Sequence, residues 1–219
     1  MGLLTELYAS SIGKKITVGL TGVLLCAFLV VHLAGNLLLF SDDGGAAFDA
    51  YAEFLPSLTI IRVIEWVLFA VFLVHAVTGF IFWLKNRKAR PEAYAVNRRN
   101  DNSDPFSRMM FLTGSVVFIF LVIHLKTFWV PARFPSGGEH LSMYAIVVGA
   151  FSSPVYCLFY VLAMVLLAFH LRHGFQSVLQ TFGLRNMKYA ALIEIAGMLF
   201  WLLIPVGFAT IPIFFLLNA

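Results

Sequence analysis

Histidine is the residue type here best able to do chemistry, and four of the six histidines lie deep in apolar sequence. His32, His75, His124 and His170 each occupy a separate long hydrophobic run, and the stretch from Ser153 to Phe169 ahead of His170 carries no charge. An ionised side chain at such depth costs about 2.5–3.5 kcal/mol on insertion scales, so an intramembrane ionisable residue is read as functional by default. Neutral imidazole can ligate a metal, relay a proton or hydrogen-bond across helices. A lone membrane histidine fits the last two well. Four of them, one per run, fit paired ligation better. His173 competes with His170, being about 60° away by helical angle, but it lies beside Arg172 and nearer the end of the run. His140 stands in a Gly-Gly-Glu-His loop and reads as a solvated residue.

The elements that must position these rings are membrane helices. Of 219 residues, 61% are hydrophobic and 12% charged, against roughly 25% charged in a soluble domain. With a mean hydropathy of +0.90 and runs longer than about 18 apolar residues, the chain reads as an all-α integral membrane protein in one domain. Five spans are expected at about 16–40, 62–84, 109–130, 153–179 and 188–217, the first four forming a bundle. The fifth has no histidine and contains Pro205 and Pro212, which membrane helices tolerate when neighbours satisfy the freed carbonyls. Residues 41–61 read as an acidic outer loop with a short interfacial helix, 85–108 as a polar connector, and 131–151 as a second outer loop. The run after Lys14–Lys15 is too long for the h-region of a secretory signal. Cys26 and Cys157 lie in apolar runs without a CxxC or CxxCH pattern, which argues against covalent haem attachment and against a cysteine-held cluster.

Loop charge sets the expected orientation. With the N-terminus inside, only Arg62, Lys126 and Arg133 of the fifteen Lys and Arg residues fall outside. The rest, Arg90, Arg98, Arg99 and Arg185 among them, lie on the cytoplasmic side, a strong positive-inside bias. The net charge of +4 therefore reports topology, and no nucleic-acid partner is expected. Alternating helix direction then places His32 and His124 in the outer half and His75 and His170 in the inner half. At 1.5 Å per residue the two layers stand about 10–16 Å apart. Each layer takes its histidines from alternate helices, which face each other diagonally in an up-down bundle. A flat macrocycle clamped on both faces suits that arrangement, so the spacing points to two haems.

The glycines are consistent with this. Gly79 follows His75 by four residues and Gly174 follows His170 by four, on the ligand face, where a missing side chain lets a porphyrin edge approach. Gly22 precedes His32 by ten and Gly114 precedes His124 by ten, at inner-layer depth but about 80° off the histidine face. The two halves of the chain match, with 92 residues from His32 to His124 and 95 from His75 to His170.

At these residues the chain resembles the di-haem cytochrome b anchor of succinate dehydrogenases and quinol:fumarate reductases, the cytochrome b558 family. The likeness runs through SSIGKK, FLVVHLAGN, the acidic loop with YAEFL, Glu65 ten residues before His75, and HLRHGFQSVLQTFGL. The family's H-x3-G followed by an aromatic-Gly pair is met by His170, Gly174 and Phe182–Gly183, which selects His170 over His173. The resemblance implies two haems b, with His32 and His124 on the outer (distal) one and His75 and His170 on the inner (proximal) one. It further implies menaquinone or menaquinol as substrate, a flavoprotein and an iron-sulfur subunit docked on the cytoplasmic face, and a multi-pass place in a bacterial cytoplasmic membrane. A dimer of the whole complex is compatible with it. A carboxylate ending the first outer loop takes part in quinol proton release in that family; Glu53 is the nearest match, with Asp49 equally placed. Some fumarate reductases carry Glu two residues before the fourth ligand, where this chain has Ala168, so that proton route is not expected here.

The chain has no flavin, nucleotide or cluster motif and should not oxidise succinate alone. Arg172, Gln176 and Gln180 could pair with inner-haem propionates or with a partner subunit, or be ordinary inside charge and polarity. Two rival readings follow from the same residues. One is a formate dehydrogenase or hydrogenase cytochrome b anchor, which fits one histidine per helix poorly. The other is a haem-free proton-coupled transporter, which would more often show broken helices and carboxylates at mid-depth. Glu65 and Glu194, the only acidic residues within the spans, both lie near an end.

Overall fold

A computed structural model of the chain describes residues 10–88, 108–135, 142–184 and 187–218. His140 and the basic residues Arg90, Arg98, Arg99 and Arg185 lie outside the described residues. Every regular element among those described is helical. Five stretches are long and apolar enough to cross a membrane: Ser11–Phe40, Thr59–Lys88, Met110–Arg133, Pro154–Thr181 and Ala190–Leu217.

The first stretch is α1 (Ser11–Asn36) followed by a 3-10 turn (Leu37–Phe40). It starts five residues earlier than the hydrophobic pattern suggests because Ser10 caps it, its hydroxyl accepting from the Gly13 amide at 2.9 Å. The expected interfacial helix is α2 (Ala46–Ser57). Asp43 starts it by accepting from the Gly45 and Ala47 amides, both at 2.9 Å, and Gly45 takes the left-handed turn with φ +91°. The second apolar stretch, α3 (Thr59–Lys88), follows almost directly. Arg62 reaches back to tie down the loose end of α2, its Nε donating to the Pro56 carbonyl at 2.8 Å.

The third stretch holds two departures from the sequence pattern. The helix α4 (Met110–His124) does not stop before Pro131 but passes through a π turn (Leu125–Trp129) into α5 (Val130–Arg133). Proline has no N–H to offer the preceding turn and its ring crowds the carbonyl four residues back. Widening that turn by one residue lets the chain continue in helical form. Residues 131–151, expected as loop, also contain α6 (Met143–Phe151). It is too short to persist alone and is held by α2, where Asp49 Oδ1 accepts from the Tyr144 amide at 2.8 Å. The remaining elements are α7 (Pro154–Thr181), a 3-10 turn (Met187–Tyr189) and α8 (Ala190–Leu217). Gly183, with φ +68°, ends α7 while the Leu184 amide donates back to the Leu179 carbonyl at 2.8 Å.

In cross-section α1, α3, α4 and α7 form a ring in chain order, closed by α7 against α1. Consequently α1 stands across from α4, and α3 across from α7. The helix α8 packs outside the ring on α7 and α1. Close approach explains two of its contacts: a β-carbon on Gly197 would overlap the Phe175 ring of α7, and one on Gly207 would lie 2.8 Å from Leu33 Cδ2 of α1. Buried apolar residues fall in two clusters. One, with Leu39, Phe48, Phe128, Phe151 and Tyr160, fills one end of the bundle. The other, with Ala163, Met164, Leu167 and Leu171, lines the α7 side. The bundle ends keep the names outer and inner that the loop charges suggest.

Candidate functional site

Each of the four deep histidines points from its helix into the ring, and the structure brings them together in two pairs. His32 of α1 meets His124 of α4 with ring centroids 5.9 Å apart and planes at 87°. His75 of α3 meets His170 of α7 with centroids 6.2 Å apart and planes at 68°. Both pairs are diagonal, as the up-down order requires. The rings themselves are half-buried.

The glycines that precede the outer histidines set the vertical spacing. A β-carbon on Gly22 would lie 3.4 Å from His75 Cε1, and one on Gly114 would lie 3.4 Å from His170 Cε1. Gly22 is ten residues before His32 and Gly114 ten before His124, which is about 15 Å along a helix. Thus α1 and α4 each donate one imidazole to the outer pair and give floor space to an imidazole of the inner pair. Gly79 and Gly174 behave differently: a β-carbon on either would meet no protein atom within 4 Å.

What each ring does with its Nδ1 decides which nitrogen is left to face its partner. His75 Nδ1 lies 3.1 Å from Thr21 Oγ1. That hydroxyl gives its single proton to the helix, with the Thr17 carbonyl 2.7 Å away, so it can only accept from the ring. The proton of His75 therefore sits on Nδ1 and Nε2 is free to act as a ligand. His124 Nδ1 lies 3.1 Å from the Tyr160 hydroxyl. Asn36 Nδ2 donates to the His32 carbonyl at 2.7 Å, and its 3.4 Å approach to His32 Nδ1 is too long to fix that tautomer. His170 Nδ1 is buried without a hydrogen-bond partner among the described residues. Thr21 and Tyr160 carry little sequence signal: a threonine and a tyrosine inside apolar runs read as packing until the opposing histidine is placed.

Of the other candidates, His173 lies outside both pairs, three residues beyond His170 on α7 and half-buried. Glu53 is exposed on α2, and Asp49 is engaged with the Tyr144 amide. Arg172 lies with its guanidinium carbon 5.6 Å from the Trp201 ring centre, while Gln176 and Gln180 are exposed. Near the outer end of α3, Glu65 accepts from Trp129 Nε1 of the π turn and lies 3.9 Å from Arg62. Ala168 is half-buried on α7.

No group of three or more His, Cys, Asp or Glu residues converges on one point among the described residues; the histidines meet only in twos. Two imidazoles are too few to hold a bare transition-metal ion of the usual tetrahedral kind. They suffice where the remaining coordination positions come with the metal, as in haem. Compared with family models, curated proteins and solved structures, the chain shows no match in any of the three.

Proposed function

We propose that the chain is the membrane-anchor cytochrome b subunit of a succinate:quinone oxidoreductase, of the succinate dehydrogenase or fumarate reductase kind. The observation that supports it most is the pairing of imidazoles across the ring at 5.9 and 6.2 Å. Two metal–nitrogen bonds of about 2.0–2.1 Å, with half a five-membered ring behind each, give a centroid separation of about 6 Å. The Nδ1 partners of His75 and His124 favour the same reading, since they leave Nε2 for the metal. So do Gly79 and Gly174, whose α-carbons present bare backbone beside the inner pair.

In this reading His32 and His124 hold the outer haem b and His75 and His170 the inner one. When bound, the two haems supply one-electron carriers about 15 Å apart along the membrane normal. The chain's own residues orient the imidazoles, set the proton positions of His75 and His124, and keep water out through the aromatic cluster at the outer end. Electrons would pass between menaquinone or menaquinol and an iron-sulfur subunit, which with a flavoprotein sits on the cytoplasmic side of a bacterial membrane. The N-terminus is then cytoplasmic, as the loop charges require. Succinate and fumarate chemistry belongs to the flavoprotein.

A reduced-minus-oxidised spectrum with a haem count tests this directly. Two b-type haems per chain are expected, together with co-purification of a flavin-bearing and an iron-sulfur subunit from native membranes. Purified protein that binds no haem would refute the proposal. One haem per chain would refute the two-layer arrangement.

A further inference from the structure

The outer pair has a feature the inner pair lacks. From His124 a line of hydroxyls leads away through the bundle: Tyr160 at 3.1 Å from Nδ1, Tyr156 at 3.2 Å from Tyr160, and Thr127 at 2.8 Å from Tyr156. The line closes on itself, because Thr127 lies in the π turn that directly follows His124. Tyr160 is 5% exposed and enclosed by aromatic rings, with centroids of Phe120 at 4.8 Å and Phe151 at 5.0 Å. Water is therefore a poor substitute for any member of the line.

The direction of the protons follows from counting them. The Tyr156 hydroxyl donates to Thr127 Oγ1, which uses its only proton. Its oxygen can then only accept, so the Tyr160 hydroxyl donates to Tyr156. Tyr160 has no second proton to offer, and its oxygen accepts from His124 Nδ1–H. We infer that Tyr160, backed by Tyr156 and Thr127, is the positioning residue that holds His124 in its Nδ1–H form and makes its Nε2 a more basic ligand. A hydrogen bond on the far nitrogen of a ligating histidine fixes the ring and raises its basicity. A chain of hydroxyls polarised one way strengthens the first link. The chain of hydroxyls belongs to the outer pair alone: His170 Nδ1 has no partner among the described residues, and the Thr21 hydroxyl that accepts from His75 hands its own proton straight to the Thr17 carbonyl.

The proton position is a property of the chain itself; its effect on a redox potential rests on the proposed haem ligation. Both are read with Tyr160→Phe, which removes the hydroxyl and keeps the ring among its aromatic neighbours. In 15N-histidine-labelled full-length protein in bilayers, one ring, absent from His124→Ala, should show Nδ1 protonated. In Tyr160→Phe that ring should lose its hydrogen-bonded Nδ1 signature while the others stay unchanged. In a potentiometric titration of the haem-loaded protein, one of the two transitions should move to higher potential, because a less basic ligand stabilises the oxidised iron less. Tyr156→Phe, which breaks only the second link, should move the same transition the same way by less, and it carries the test if Tyr160→Phe does not assemble. A His124 ring protonated on Nε2 in the wild type overturns the inference, as does full haem content with both transitions unmoved. Protein that holds no haem yet shows the Tyr160-dependent Nδ1 signature would sink the cytochrome reading and leave the assigned proton position standing.

Discussion

Gly114→Val tests the layered arrangement at a point where sequence neighbours and spatial neighbours disagree. On α4, Gly114 belongs with His124, which holds the outer pair. In space it touches the inner pair, because a β-carbon there would lie 3.4 Å from His170 Cε1 and 3.6 Å from Nδ1. Alanine puts an ordinary van der Waals contact at that distance and should be tolerated. Valine adds two methyl groups about 1.5 Å farther out, held by the single rotamer a helix prefers, and one of them runs into the imidazole. Overpacking of this kind costs about 1–3 kcal/mol. Helix propensity does not oppose the change, since valine is a slightly better helix former than glycine, so the steric term decides. On the proposed haem ligation, a His170 that turns away to relieve it would hold the shared iron roughly 5- to 150-fold more weakly. The assay is haem per chain together with the potential or paramagnetic signal that identifies each haem. We expect Gly114→Ala to retain both, and Gly114→Val to lose the haem that His170→Ala loses. Loss of the haem that depends on His124 would refute the reasoning, because Gly114 would then act on its own helix and not across the bundle.

Two further outcomes follow from the geometry. Haem-resolved spectra of four alanine variants should fall into two classes, His75→Ala with His170→Ala and His32→Ala with His124→Ala; loss of the same haem from all four would contradict the pairing. Asp49→Ala removes a charged acceptor from the Tyr144 amide, a bond of about 1.5–3 kcal/mol. Hydrogen exchange across Met143–Phe151 should quicken by roughly tenfold or more, and unchanged exchange would show that α6 stands without that link.

The deep histidines and their partners were legible because depth in a membrane helix is readable from position, and direction alternates from span to span. What each ring touches was not. Gly22 and Gly114 could be placed at inner-layer depth from their offsets, but only the register between neighbouring helices shows that each lies under the imidazole of the next helix. Tyr160 stands in an apolar run whose aromatic content hides it, and its meaning depends on a histidine 36 residues earlier. The π turn at Leu125–Trp129 leaves no mark beyond Pro131, which reads as a stop. The helix α6 escaped for another reason: nine residues cannot sustain a helix without a tertiary partner, and that partner lies on a different loop. The carboxylates were the least readable, since Glu53 and Asp49 are alike by position and differ only in that Asp49 is tied to a backbone amide.

Because α1 carries both His32 and the glycine beside His75, and α4 both His124 and the glycine beside His170, the two helices that hold the outer level also wall the inner one. A slide of either helix by one turn, about 5.4 Å, would withdraw a grip from one level and the footing from the other together. The gap between the two levels is thus as stiff as two continuous rods, and a carrier seated at each would keep its distance from the other while loops at both ends rearranged.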